Sequence, residues 1–490
     1  MEQKNENLKF NSLSSFVWKM LERICAQGTS LIVSIILARL LVPQDFAVVS
    51  VVTIFFTFAN VLISGGLNTA LMQKKDADAL DYSSILYATT FFSILIYAIL
   101  FFVAPLIADL YNLGSLTLII RIMALVLPVN AIKSVWCAYI SSQLLFRKFF
   151  LATIVGTVIS AFVGIVMALK GFGPWALVVQ QMLNIIIDTL LLILTTKIKL
   201  LPKFSAKRFS SLFKFGSKIL AASLIDVAYL QFSPLIIGVR FSTIDLAFYN
   251  KGQTFPSAIS SSTTSSLSAV MFPVIAKFQN DKEKVLHLTR KFMQVASFIV
   301  FPLMIGLFAV SDNFIIALLT EKWLPASYYL KLFCVQCMFS IVAIGNCETI
   351  KAIGKSGTYL KMEIIKKTLY FVVLALFIFF SPSVEIFALS LVAIVLIQLC
   401  VNTIPNIKLI NYRLTYQIYD IGVSFVLSAI MGVVVYLVGC LSPTHNLETL
   451  IKQIVVGIFT YVLFSCIFNK KTVSYVAMLL KTLIGGRRRA

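Results

Sequence analysis

The stretch F-A-V-V-S-V-V-T-I-F-F-T-F-A-N-V-L-I-S-G-G-L-N-T-A-L-M, residues 46–72, contains no charged side chain and no alternation of apolar with polar residues. As an α-helix rising 1.5 Å per residue, it is long enough to cross a ~30 Å hydrocarbon layer. A membrane β-strand would be less than half as long and would alternate with a period of two. Five of its few polar members, Thr53, Thr57, Asn60, Ser64 and Asn68, recur at helical spacing and form one stripe. A membrane helix tolerates such residues when they bond back to its own backbone or across to a neighbouring helix.

Working outward from this run, comparable runs recur to both ends of the chain. About fourteen spans are expected, near 13–41, 46–72, 82–110, 116–144, 149–169, 173–196, 209–239, 244–275, 287–311, 325–352, 358–380, 384–407, 416–440 and 448–467. Of 490 residues, 59% are hydrophobic and only 13% charged, with a mean hydropathy of +0.94. A soluble protein of this size needs a more polar surface. No connection is long enough for a soluble domain, and the first run is too long for a signal-peptide core. The expectation is an all-α polytopic membrane protein.

The net charge of +22 raises the question of nucleic acid. Its placement argues against that partner, because the cations sit in short connections between apolar runs. One alternating set holds Lys74, Lys75, Arg147, Lys148, Lys203, Lys207, Arg208, Lys282, Lys284, Lys355, Lys408 and the tail arginines 487–489. With its neighbours, this set comprises about 28 basic residues. The opposite set holds roughly five: Arg39, Arg121, Lys170, Arg240 and Lys322. The skew expects an even span number and both termini in the cytoplasm. The tail mixes Lys471 and Lys481 with an apolar segment at 473–483, which suits either an amphipathic helix on the cytoplasmic leaflet or a frayed basic tail.

The chain also echoes itself. Residues near 16–68 resemble residues near 217–268 at a shift of roughly 200 positions. In each half a long helix ends in Arg (Arg39; Arg240), and an Asp (Asp45; Asp245) opens the next. An acidic residue there suits the positive end of the helix dipole. The partner helix carries its own stripe, Asn250, Thr254, Ser257, Ser261, Ser265 and Ser268. The stripes are either helix–helix seams or the walls of a shared internal cavity. Six spans per half would give parallel halves. The expected division is a six-helix bundle at 1–197, a second at 198–411, an appended helix pair at 412–468 and a basic tail at 469–490.

Ionisable groups inside the bilayer are costly and therefore functional candidates. The first helix presents Lys19, Glu22, Arg23 and Gln27 on one face, and the seventh presents Lys214, Lys218, Asp226 and Ser233. The fourth has Asn130, Lys133 and Ser134; the tenth has Glu348 and Lys351. Lys214 and Lys351, near helix ends, suit snorkelling. Lys19 and Glu22 suit a helix pair. Asp188 in the sixth helix has no evident partner in sequence. Lys19, Arg23, Asn60, Lys133, Lys218 and Asn250 are the candidate substrate contacts, in a basic cavity suited to an anionic head group such as a lipid pyrophosphate. Glu22, Asp226 and Glu348 are the candidate ion-coupling carboxylates.

Other chemistries lack their residues. There is no G-x-x-x-x-G-K-[ST] phosphate loop. His287 and His445 fall in connections without metal-ligand spacing, so neither a metal nor a catalytic group is expected. Cys334 and Cys337 form a C-x-x-C inside an apolar run, where small hydrophobic packing is the simpler role.

The opening W-x-x-x-E-R-x-x-x-Q-G (Trp18, Glu22, Arg23, Gln27, Gly28) runs into I-I-L-A-R-L-L-x-P-x-D-F at 35–46. Further stretches are A-L-M-Q-K-K at 70–75, G-F-G-x-W-A-L-V-x-Q-Q at 171–181, F-G-S-K at 215–218, F-P-L-M-x-G-L at 301–307, E-K-W-L-P at 321–325 and E-I-I-K-K at 363–367. As a set they resemble the polysaccharide-transporter branch of the multidrug/oligosaccharidyl-lipid/polysaccharide superfamily, the Wzx- or WzxC-like flippases. The resemblance covers residues 10 to about 440 and weakens after Asn411. It implies a MATE-like fold of two six-helix bundles around a central cavity, working by alternating access. It implies movement of an undecaprenyl-pyrophosphate-linked oligosaccharide from the cytoplasmic to the outer leaflet of the bacterial inner membrane. The product would feed lipopolysaccharide, O-antigen, capsule or exopolysaccharide assembly. No cofactor is implied beyond an H⁺ or Na⁺ gradient. Membrane lipids surround the protein, and a polysaccharide polymerase and chain-length proteins are the implied partners.

Three rivals compete. A multidrug or cation antiporter of the same fold should line its cavity with acidic and aromatic groups, whereas this one reads as basic. A sugar polymerase or ligase needs a sizeable outer loop for its catalytic residues; connections such as 170–174 and 381–385 are too short. A structural subunit has no need of buried charges.

Overall fold

The structure is a computed structural model, and its backbone is described for residues 2–74, 76–441 and 447–485. Side chains at 2–17, 19–20 and 479–485 lie outside the described residues, as do Lys75, His445 and the tail arginines. In chain order the helices are α1 Glu2–Leu40, α2 Pro43–Ser64, α3 Leu67–Gln73, α4 Ala79–Leu110, α5 Ser115–Ala124, α6 Val126–Ser142, α7 Phe146–Leu169, α8 Pro174–Thr195 and α9 Ala206–Ile236. They continue with α10 Thr243–Ala276, α11 Lys282–Ala309, α12 Ser311–Leu319, α13 Ala326–Ala352, α14 Ser356–Phe380, α15 Val384–Ile410, α16 Leu414–Leu441, α17 Leu447–Phe468 and α18 Lys470–Gly485. No strand occurs among the described residues.

Local chemistry sets the helix ends. Asp78 caps α4 by accepting from the Leu80 and Asp81 amides, and Asp81 returns a bond to the Asp78 amide. The Asp81 amide, with Arg208 alongside, holds the Asp78 carboxyl below the usual carboxylate range. Ser205, Asp281 and Ser383 cap α9, α11 and α15 in the same way. Pro43 and Pro174 open α2 and α8, where the missing amide costs nothing. Asp45 and Asp245 sit in the first turns of α2 and α10, as the repeat expects.

Thirteen helical stretches among the described residues are long and apolar enough to cross a membrane. The remaining expected span corresponds to α14, which is 25 residues long but carries Glu363, Lys366 and Lys367 in its first half. The expected run at 46–72 is broken into α2 and α3, because α9 crosses in backbone contact there. A Cβ on Gly66 would lie 1.8 Å from the Gly216 carbonyl oxygen. The run at 116–144 is likewise divided, into α5 and α6. The connection expected between the spans ending at 311 and starting at 325 forms α12 and a 3₁₀ turn at Glu321–Trp323, with Trp323 fully buried. His287, read as a connection residue, lies on α11.

The chain divides into two compact units, Met1–Ala247 and Phe248–Ala490. In the first, α7 packs on α8 and α1, α4 on α5 and α6, and α9 on α2 and α3. It is this last packing that groups α9 with the first unit, whereas the repeat places it at the start of the second half. In the second unit, α11 packs on α13 and α16, α13 on α15, and α16 on α17. Both units are inside-out relative to a soluble protein. Phe102, Phe379 and Phe380 are at least three-quarters exposed, while Ser93, Asn346 and Asn406 are fully buried. Lipid takes the place of water around such a surface.

Candidate functional site

The polar stripes are largely self-satisfied. Thr53, Thr57 and Ser64 donate to carbonyls four residues back on α2; on α10 Thr254 donates four residues back, and Ser261 and Ser265 three residues back. Two members reach further. Asn60 accepts a bond from Asn130 of α6, and Ser268 donates to Glu348 at 3.2 Å.

Charge converges in the first unit. Lys133 on α6 donates to Oδ2 of Asp188 on α8 at 2.8 Å, and Asp188 is only 3% exposed. Its other oxygen, Oδ1, has no hydrogen-bond partner among the described residues. That oxygen is pressed onto α7 at Gly156, where a Cβ would lie 2.0 Å from it. One turn before Asp188, Asn184 donates to Thr157 and Ser160 of α7. Lys133, Asp188, Asn184 and Thr157 border a cavity of about 600 Å³, completed by Glu22, Ser30, Ser34 and Gln181. Glu22 is also buried. Among the described residues, two carboxylates therefore share one chamber with a single ammonium group. Withdrawing such charges from water costs several kcal/mol per ion, recovered only with close partners. The unused Asp188 oxygen gives the chamber capacity for one more cation or proton.

A smaller cavity of about 290 Å³ in the second unit holds Glu348, Lys351, Glu363 and Lys366. Lys351 pairs with Glu348 and Lys366 with Glu363, so positive and negative groups balance. Lys351, expected to snorkel, is instead an ion-pair partner. Beyond it a buried network links Asn346, Asn406, Gln417 and Thr403.

Of the residues singled out from sequence, Glu22 and Lys133 meet in the chamber, and Asn60 lies beside Asn130. Glu348 lies in the second unit's cavity, and Asn250 is half-buried on α10. Arg23, Lys218 and Asp226 are exposed and border neither cavity. Neither Arg23 nor Lys218 has a carboxylate partner among the described residues. The Lys19 side chain lies outside the described residues. Sequence reasoning left Asp188 without a role, since its partner is 55 positions away. It missed Asn184, Thr157 and the buried Asp420 on α16, which accepts from Arg290, Gln294 and Tyr412. The available signal was an acid inside an apolar run.

A family described as polysaccharide biosynthesis protein matches residues 36–328. Among curated relatives, the succinoglycan biosynthesis transport protein ExoT of Rhizobium meliloti (strain 1021) is 23% identical over 62% of this chain, and the match spans only 62% of its own length. The lipopolysaccharide biosynthesis protein WzxC of Escherichia coli (strain K12) is 23% identical over 74% of each chain. Among solved structures, the lipid II flippase MurJ in an inward closed conformation aligns over 94% of this chain and all of its own, with TM-score 0.74 at 16% identity. An inward-facing multidrug resistance MATE family transporter of the MOP superfamily aligns over 86% and 98%, with TM-score 0.55 at 13% identity. The fold is that of this superfamily, and the chain belongs to the polysaccharide biosynthesis protein family.

Proposed function

We propose that this protein is a flippase for lipid-linked oligosaccharides, a transporter with no catalytic step of its own. Its substrate class is an undecaprenyl-pyrophosphate-linked repeat unit, moved from the cytoplasmic to the outer leaflet for surface polysaccharide assembly. The observation that carries the reading is a charged chamber inside a helix bundle of a polysaccharide biosynthesis family. ExoT and WzxC are named for succinoglycan transport and lipopolysaccharide biosynthesis, and MurJ for lipid II flipping. All three names concern glycan export or lipid-linked glycan.

Arg23 and Lys218 are exposed cations suited to a pyrophosphate, and Arg offers it a two-pronged donor set. Coupling to an ion gradient is assigned to the Lys133–Asp188–Glu22 chamber. A cation or proton arriving at Asp188 Oδ1 competes with Lys133 for the carboxylate and so alters how α6 is held to α8. The basic connections favour cytoplasmic termini. A polymerase and chain-length proteins are natural acceptors of the product.

The test is a deletion strain. Loss of surface polysaccharide, with lipid-linked repeat units accumulating on the cytoplasmic leaflet and cleared by the intact gene, supports the flippase. Unchanged surface glycan with raised drug sensitivity would make the protein an efflux antiporter instead. In the same strain, Arg23→Ala or Lys218→Ala should lower export at least about tenfold with normal membrane levels. Arg23→Lys should be equally impaired if forked phosphate contacts matter, and milder if charge alone does.

A further inference from the structure

Where α17 turns into α18, the second unit holds another cavity, of about 580 Å³, that the transport reading does not use. Its floor is cationic: Arg290 and Lys291 come from α11, and Lys470 and Lys471 from the first turn of α18. The single carboxylate lining it, Asp420, already accepts from Arg290 Nε and Nη2 at 2.8 and 2.9 Å, from Gln294 at 2.7 Å and from Tyr412 at 3.0 Å. Asp420 is fully buried as a side chain, so it positions the Arg290 guanidinium and offers little to a ligand. Lys291 lies 4.9 Å over the Tyr475 ring, which holds α18 against α11. Lys291, Lys470 and Lys471 have no carboxylate partner among the described residues. The helix dipole of α18 adds positive potential at the same place.

The edge of this cavity is apolar and open. Tyr419, Ile467 and Phe468 are each more than half exposed beside the cationic floor. A soluble anion uses the floor alone. A molecule with a negative head and acyl chains uses both. We propose that this cavity is a specific site for an anionic glycerophospholipid, its phosphodiester on Arg290, Lys291, Lys470 and Lys471 and its chains along Phe468 and Ile467. Basic pockets between membrane helices on the positively charged side take such head groups, and charge-assisted bonds to phosphate are the stronger kind. The bound lipid pins α18 to the bundle.

The experiment uses the full-length protein, purified and stripped of lipid, then offered dioleoyl phosphatidylglycerol or dioleoyl phosphatidylcholine, with retained lipid read by native mass spectrometry. The expected result is at least about tenfold better retention of phosphatidylglycerol. In Lys291→Gln/Lys470→Gln/Lys471→Gln retention should fall to the phosphatidylcholine level. In the control Lys199→Gln/Lys203→Gln/Lys207→Gln, which removes equal charge from the exposed α8–α9 connection and the first turn of α9, it should not. Equal retention of the two lipids, or of phosphatidylglycerol by both triple variants, overturns the proposal. So does release of the lipid by excess inorganic phosphate, which would make the cavity a free-anion site.

Discussion

Lys133 was legible as a candidate because a cation in an apolar run needs a reason, and Asp188 was legible as a puzzle for the same cause. That the two are partners was not legible, since helical periodicity says which face a residue occupies but not which helix that face meets. Removing one partner leaves an unpaired buried charge, so Asp188→Leu should lose about 3–5 kcal/mol of stability and reduce membrane levels. The paired change Lys133→Met/Asp188→Leu should restore membrane levels and still abolish gradient-driven export. Full export by that double variant would remove the chamber from ion coupling. Gly156 belongs to the same site by omission. Gly156→Ala drives a methyl into Asp188 Oδ1, forcing α7 away or the carboxylate off Lys133, and should cost about 1–3 kcal/mol. Thermal unfolding in detergent reads the loss, and an unchanged midpoint would show that α7 shifts freely.

At the scale of elements, apolar runs gave the helices, because a chain in lipid has no other way to satisfy its backbone. What the runs concealed is where close crossings interrupt them. Gly65 and Gly66 fall inside the apolar run at 46–72, and α3 and α9 meet there with almost no separation. Gly66→Ala places a Cβ 1.8 Å from the Gly216 carbonyl oxygen, a backbone atom that cannot swing aside. It should therefore be among the most destabilising single methyls in the first unit, with folded protein in the membrane fraction falling severalfold. Gly28→Ala, whose Cβ meets nothing within 4 Å, is the matched control and should be neutral. α12 was hidden for another reason. At nine residues it is too short to register as a span, and only the burial of Trp323 beside it marks the connection as packed.

For the whole molecule, orientation rests on parity, and parity rests on α14. The positive-inside count works with an even number of crossings, and α14 is the helix whose charges put its crossing in question. Two of those charges are internal. Lys366 is 13% exposed and bonded to Glu363, and both border the second unit's cavity, while the exposed Lys361 lies within two turns of the helix start, where it can snorkel, so the later part of the helix presents Leu376, Phe379 and Phe380 to lipid. If α14 crosses, Lys355 before it and Pro382 after it lie on opposite faces of the membrane, and the amino and carboxyl termini share one face. In a cysteine-free background, Pro382→Cys should react with an impermeant maleimide in intact cells, whereas Lys355→Cys should react only after permeabilisation. Labelling of both from the same side would take α14 out of the membrane, reverse every later connection and place the carboxyl-terminal basic segment outside. The proposed lipid cavity at the α17–α18 turn would then face the outer leaflet, and the charge asymmetry of the loops would be left without a cause.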